Sequence, residues 1–106
     1  MNTSTAMPAA AGLSVEHAAI VRAVLAASLP TARVLVFGSR ASGRSRPFSD
    51  LDLLVCDPPR LTLAQRTQLV DAFERSALPF CVDLVEAAGV PATMTARIES
   101  ELRELP

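Results

Sequence analysis

Residues 33–55 read RVLVFGSRASGRSRPFSDLDLLV and decide the fold. Arg33–Phe37 is a short β-branched and apolar run that ends at Gly38, and Leu51–Cys56 is a second apolar run. Both runs are predicted as strands. Gly38-Ser39 forms the turn after the first strand, and Asp50-Leu51-Asp52 begins the second after ten intervening residues. The stretch therefore holds a Gly-Ser turn and two carboxylates at a fixed separation.

Capping residues and apolar spacing predict helices around this unit. Ser14 and Thr62 are residue types that cap helix N-termini, and Gln65 stands at capping-box spacing from Thr62. Pro30 and Pro79 follow the ends of two helical patterns. The predicted helices are about Ser14–Leu29, Ser39–Ser42, Thr62–Leu78 and Thr93–Leu105, and the third strand is Phe80–Val85.

These elements follow the order α-β-α-β-α-β-α and predict an α/β (α+β) fold. Two strands are apolar on both faces, so helices are expected to cover a small mixed sheet of about three strands. An i,i+4 ion pair is expected between Glu99 and Arg103. The inward-facing residues are predicted to be Leu69, Ala72, Phe73 and Ala77 in the third helix, and Met94, Ile98, Leu102 and Leu105 in the last.

The chain has 106 residues, which suits one domain with one core. We expect a flexible N-terminal tail over 1–12 and the single domain over 13–106. The tail lacks a basic segment followed by an apolar one, so a signal peptide is not expected. No apolar run is long enough to span a bilayer. Cytoplasm is the expected location, with no membrane partner.

Composition excludes several kinds of chemistry. The formal net charge of −1 argues against broad binding to a nucleic-acid backbone, and the absence of Tyr and Trp removes stacking platforms for single strands. All ten basic residues are arginine, which excludes lysyl–nucleotide intermediates, Schiff bases and Walker-type P-loops. His17 is the only histidine, so catalytic couples that need histidine depend on one helical residue. Carboxylate chemistry with a metal ion remains.

The Gly38-Ser39 turn is a candidate anion site. A strand that turns into a helix presents unpaired backbone N–H groups, glycine allows an anion to approach closely, and the Ser39 hydroxyl adds a donor. An ordinary turn with Ser39 as a cap fits the same residues. Arg40, Arg44 and Arg46 are candidate phosphate ligands because the guanidinium fork suits phosphate oxygens. Solvated loop positions are the alternative, which we prefer for Arg44 and Arg46.

Three aspartates are candidate metal ligands. Asp50 and Asp52 share one face of the second strand, where two like charges are costly without a cation, and hard oxygen ligands suit Mg²⁺ or Mn²⁺. A polar turn near a solvated strand end is the alternative. Asp83 lies within an otherwise apolar strand, so we expect it to be buried and to need a strong partner. It completes a three-carboxylate cluster if the second and third strands are neighbours, whereas an edge strand would leave it facing water.

Together these residues resemble one family. Gly38-Ser39, Ala41, Gly43, the run Ser49–Val55 and Val82-Asp83-Leu84 are similar to the minimal nucleotidyltransferases of the DNA polymerase beta-like superfamily. The resemblance extends from about the first helix to the third strand. It implies that Asp50 and Asp52 hold two divalent ions, Mg²⁺ or Mn²⁺, that bridge the triphosphate of ATP.

The resemblance also implies roles for the other candidate residues. Gly38 and Ser39 would bind the β- and γ-phosphates. Asp83 would help to hold the catalytic ion and would assist deprotonation of an attacking hydroxyl, so that a nucleotide is transferred and pyrophosphate is released.

The resemblance further implies a partner. Minimal nucleotidyltransferases of this kind are typically prokaryotic antitoxins paired with HEPN-domain ribonuclease toxins, which they adenylylate on a tyrosine. Only one helix follows Asp83, so the acceptor surface is expected to come from another chain. The apolar stripe of the last helix, formed by its four inward-facing residues, could dock such a partner. We favour the alternative that this stripe covers the sheet. Two alternatives remain: an antitoxin that acts by binding alone, and a small-molecule nucleotidyltransferase with a partner-supplied acceptor site.

Overall fold

The computed structural model describes residues 7–106. Helix α1 spans Val15–Ser28, and the Ser14 hydroxyl accepts the His17 N–H at 3.0 Å as its N-cap. Strand β1 is Arg33–Phe37 and the short helix α2 is Ser39–Ser42, at the predicted bounds of both. Their sharp limits follow from Gly38 and Gly43, which both have positive φ.

The second half of the fold is a strand–helix–strand crossover followed by a last helix. Strand β2 is Leu51–Asp57 and helix α3 is Leu63–Arg75, which begins with the predicted capping box of Thr62 and Gln65. Strand β3 is Val82–Glu86, a 3₁₀ turn covers Ala87–Gly89, and helix α4 is Ala92–Glu101. The predicted mixed α/β fold with a three-stranded sheet is confirmed.

The sheet has the order β1-β2-β3, with β1 antiparallel and β3 parallel to β2. Helices α1 and α3 cover the face that carries Leu51, Leu53 and Val55. The opposite face carries Leu54, which α4 covers through the buried Ile98. Because side chains alternate along a strand, Asp52 lies on the same face as Leu54. The face covered by α4 is therefore the one that holds the acids.

Two helix ends differ from the prediction. Helix α3 stops at Arg75 rather than near Leu78, because Ser76 is extended, and Ala77 is exposed rather than inward-facing. Helix α4 stops at Glu101 because Leu102 is also extended. The residues after α4 instead add to the edge of β1, where Arg103 and Val36 exchange two backbone hydrogen bonds of 2.8 Å.

The apolar stripe and the ion pair of the last helix also differ from the prediction. Ile98 is buried as expected, whereas Met94 is 40% exposed and Leu102 lies beyond the helix. The predicted Glu99–Arg103 pair is wrong because Arg103 is no longer helical. Arg97 and Glu101 form the i,i+4 pair instead, at 3.5 Å.

Residues 8–12, which belong to the predicted flexible tail, make specific contacts with the rest of the domain. The Ala10 N–H donates to the Glu104 carbonyl, and the Glu104 N–H donates to the Pro8 carbonyl. Ala10 is buried, and the Gly12 N–H donates to the Arg40 carbonyl at 2.7 Å. The first part of the predicted tail, residues 1–6, lies outside the described residues. Among the helices of residues 7–106, none is long and apolar enough to cross a membrane.

Candidate active site

The turn at Gly38 is in contact with the carboxylate of Asp52. Gly38 has φ +78°, and a Cβ built at this position would overlap Asp52 Oδ2. The pairing of Phe37 with Asp52 across β1 and β2 explains the contact, because it places Gly38, the residue after β1, beside the start of β2. Only glycine meets both requirements, a left-handed backbone and close approach of the acid.

Three further carboxylates lie near the Asp52 carboxylate. Asp52 pairs in register with Asp83 of the parallel strand β3, and Asp50 precedes β2. Burial, and after it the charges of Asp83, Asp50 and Glu101, together raise the pKa of Asp52 to about 6. The acids therefore act on one another electrostatically, with Asp52 at their centre.

One of the two predictions about the position of Asp83 is confirmed and the other is wrong. The second and third strands are neighbours, as the three-carboxylate hypothesis requires. The prediction that Asp83 is buried is wrong, however, because β3 is an edge strand and the Asp83 side chain is exposed. Its role as the third metal ligand stays a prediction, now for a carboxylate at the open side of the site.

The donor set at this turn fits a divalent cation. Asp50, Asp52 and Asp83 offer only carboxylate oxygens, the ligands that Mg²⁺ and Mn²⁺ prefer, and a cation would offset the burial and the like charges that raise the pKa of Asp52. Within residues 7–106, no three such side chains are already gathered at metal-binding distances. Binding of an ion would therefore require the exposed Asp50 and Asp83 side chains to turn toward Asp52.

Glu101 is the residue of this site that sequence reasoning missed. It lies at the end of α4, where its Oε1 accepts the Gly38 N–H at 3.3 Å. Its Oε2 lies 3.5 Å from Arg97 Nε. The only sequence signal is the helical spacing of Arg97 and Glu101, which predicts a surface ion pair and nothing about Gly38.

Arg40 occupies the other side of the turn. It is 5% exposed, and its guanidinium donates to the carbonyls of Ser49, Gly12, Arg46 and Pro47 at 2.8–3.2 Å. The guanidinium carbon also lies 3.9 Å from the centre of the Phe80 ring. Burial lowers the pKa of Arg40, and the charge of Asp50 opposes that shift. The predicted phosphate-binding role of Arg40 finds no support in these contacts, because the side chain is turned into the fold and its donors are engaged.

The remaining candidates lie at the surface of the turn. The Ser39 carbonyl accepts the Arg44 N–H at 3.0 Å, and the half-buried Ser39 side chain donates no hydrogen bond within the described part of the chain. Arg44 and Arg46 are exposed, in agreement with the solvated loop that we preferred for them. Phosphate binding by Gly38 and Ser39 stays a prediction.

Comparison with known proteins assigns the domain to a family. Residues 22–105 match the family described as "Polymerase beta, Nucleotidyltransferase". The chain belongs to this nucleotidyltransferase family. The predicted resemblance and the predicted enzyme class are confirmed. Enzymes of this family generally use a nucleoside triphosphate and a divalent metal ion.

One relative is similar over most of this domain. A Haemophilus influenzae (strain ATCC 51907 / DSM 11121 / KW20 / Rd) protein described as "Probable protein adenylyltransferase MntA" is 40% identical over 73 residues. The matching region is 69% of this chain and 64% of the relative. The chain thus spans less than two thirds of the length of that relative.

Proposed function

We propose that this nucleotidyltransferase transfers AMP from ATP to a hydroxyl group of a partner protein. The observation that carries the proposal is the contact between Gly38 and Asp52, with Asp83 in register beside Asp52. It brings the candidate phosphate turn and the candidate metal ligands to one point. The described relative, a probable protein adenylyltransferase, supports a protein as the acceptor.

In this proposal Asp50 and Asp52 would hold two divalent ions, Mg²⁺ or Mn²⁺, and Asp83 would help to hold the catalytic one. The bound ions would supply Lewis-acid stabilisation of the phosphoryl oxygens. Gly38 would offer its backbone N–H to a phosphate oxygen at the turn, and Ser39 would add a hydroxyl donor to the β- and γ-phosphates.

The exposure of Asp83 suits a carboxylate that must meet an acceptor from outside. Asp83 takes the proton of the acceptor hydroxyl as the hydroxyl oxygen attacks the α-phosphorus of ATP. The new bond joins that oxygen to the α-phosphorus, the bond from the α-phosphorus to the bridging oxygen breaks, and pyrophosphate leaves. The product is an AMP ester of the acceptor.

A HEPN-type toxin is the partner that we propose, with this chain as its antitoxin in a hetero-oligomer in the cytoplasm. The family resemblance supports this partner. The chain has no tyrosine, so it cannot carry the modification on a tyrosine of its own. A reaction on a second protein is consistent with that composition.

The test incubates the protein with labelled ATP, Mg²⁺ and a co-expressed partner, beside Asp50→Asn and Asp52→Asn variants. We expect label on the partner and a loss of about 10²–10³-fold or more in each variant, since each removes a ligand of the cations that would stabilise the transition state. Asp83→Asn should also lose transfer while its unfolding transition is retained. Normal transfer by that variant would remove Asp83 from the site.

Toxin inhibition separates the proposal from binding alone. A catalytic antitoxin loses protection of cells in the Asp50→Asn and Asp52→Asn variants. If both variants still inhibit the toxin and the wild-type protein transfers no label, the chain neutralises by association. Label on a small molecule in place of the protein would support the small-molecule alternative.

A further inference from the structure

Glu101 places a negative charge where the proposed function places a phosphate. Its Oε1 accepts the N–H of Gly38, the backbone donor of the candidate phosphate turn, at 3.3 Å. Its charge also contributes to the raised pKa of Asp52. A carboxylate beside another acid is unfavourable without compensation.

The backbone on both sides of Glu101 is held in place. Before it, helix α4 is anchored by the buried Ile98. After it, Arg103 and Val36 exchange two backbone hydrogen bonds, and Glu104 binds Arg33 at 2.9 Å. The backbone of Glu101 is therefore constrained, and the part that is free to leave Gly38 is the side chain.

Arg97 contacts the other oxygen of the same carboxylate. The Glu101 side chain is 18% exposed and lies 3.5 Å from Arg97 Nε, whereas the Arg97 side chain is 73% exposed. Rotation of the Glu101 side chain toward Arg97 would move its charge toward solvent and release the Gly38 N–H. The Gly38 donor would then be open to another anion of the same chemistry, a phosphate oxygen.

We propose that Glu101 is a placeholder anion of the nucleotide site. Its carboxylate accepts the Gly38 N–H when the site holds no phosphate chain, and it turns toward Arg97 when a phosphate oxygen takes its place. Glu101 then lowers the affinity of the site for both ATP and the product pyrophosphate, and favours release of pyrophosphate. This inference rests on the proposed phosphate-binding role of the Gly38-Ser39 turn.

The test measures the affinity of the full chain for ATP and for pyrophosphate by calorimetry, with EDTA and with Mg²⁺. Glu101→Gln keeps the size of the side chain and an oxygen that can accept the Gly38 N–H, but removes the charge. We expect both ligands to bind about fivefold to tenfold more tightly to this variant, from the loss of one like charge several ångströms away. Glu99→Gln, an exposed glutamate of the same helix, is the control and should change neither affinity.

A purely structural role of Glu101 predicts a different result. Suppose that the wild-type protein binds and transfers nucleotide. If Glu101→Gln and Glu101→Ala then bind ATP and pyrophosphate no more tightly than the wild type, the inference is wrong and the proposed function stands. If the wild-type protein binds neither ligand and transfers no label, the proposed function falls and the inference with it. Should Glu101→Ala fail to fold, Glu101→Gln decides the question alone.

Discussion

Arg40 and Asp52 lie on opposite sides of the same turn and are held in opposite ways. Arg40 is buried with hydrogen bonds to four backbone carbonyls and a contact with the Phe80 ring. Asp52 is half-buried against Gly38, accepts no hydrogen bond from the described residues, and is surrounded by like charges.

The difference separates a charged group that stabilises the fold from one that lies in an unfavourable electrostatic environment. A buried charge with a full set of partners fixes the backbone that supplies them, here the loop between Gly43 and Asp50. A half-buried charge among like charges costs stability, and such groups concentrate where a ligand of opposite charge binds. Arg40 thus supports the turn, whereas Asp52 has the character of a group that binds a ligand.

The largest effect on stability is expected from removing Arg40. Arg40→Ala leaves several loop carbonyls without their donor and should lower the free energy of unfolding by about 3 kcal/mol or more. Arg40→Lys should recover little, because an ammonium group cannot reproduce the planar fork. Urea denaturation measures both. The exposed Arg44→Ala is the control, expected within about 0.5 kcal/mol of wild type, and an equally small loss for Arg40→Ala would contradict the supporting role.

Substitution of Gly38 tests the contact between the two sides. Gly38→Ala forces a side chain into a left-handed conformation and against Asp52, which should cost about 2 kcal/mol and impair nucleotide transfer. Gly89→Ala is the matched control, because a Cβ there meets nothing within 4 Å. We expect Gly89→Ala to be neutral or slightly stabilising in the same denaturation experiment. Equal stability of the two variants would show that the Gly38 approach is looser than described.

Asp52→Asn should have an effect of the opposite sign. Removing the charge relieves its burial and repulsion, so we expect the metal-free protein to gain about 1 kcal/mol at pH 7.5, allowing for partial solvent screening, while transfer is lost. Glu74→Gln, an exposed acid on α3, should change neither property. Destabilisation by Asp52→Asn would mean that its carboxylate has a partner that the contacts do not include.

The same variant gives the sign of the pH dependence. The pKa of Asp52 is about 6 in the folded chain and 3.8 as its ordinary value, so the folded state retains the proton longer. The wild-type protein therefore loses stability relative to Asp52→Asn as pH rises between these two values, and the difference is constant above them. Thermal unfolding in EDTA across pH 4–8 measures it, and a gap that shrinks with rising pH would contradict the raised pKa.

The helices and strands whose ends are set by local residues were predictable from the sequence. Gly38 and Gly43 limit β1 and α2 through backbone conformation, and Thr62 with Gln65 begins α3 through a local hydrogen-bonded box. Asp50 and Asp52 could be chosen as candidate ligands because their spacing and the Gly-Ser turn belong to one continuous stretch.

The remaining features depend on tertiary placement. The apolar neighbours of Asp83 do not reveal that β3 is an edge strand, since strand order is set by the whole sheet. The position of Arg40 beside Ser39 does not show that its side chain turns under the loop. Glu101 reaches Gly38 across 63 residues of sequence. The early end of α4 likewise results from Arg103 pairing with β1, which no helical pattern contains.

The most direct test of the account uses ATP labelled in two positions. Wild-type protein, Mg²⁺ and the co-expressed partner are incubated in parallel with ATP labelled at the α-phosphate and at the γ-phosphate. Transfer of a nucleotide predicts α-label on the partner, γ-label only in released pyrophosphate, and no transfer by Asp52→Asn. The γ-label on the partner, or α-label that persists in Asp52→Asn, would contradict nucleotide transfer at this site.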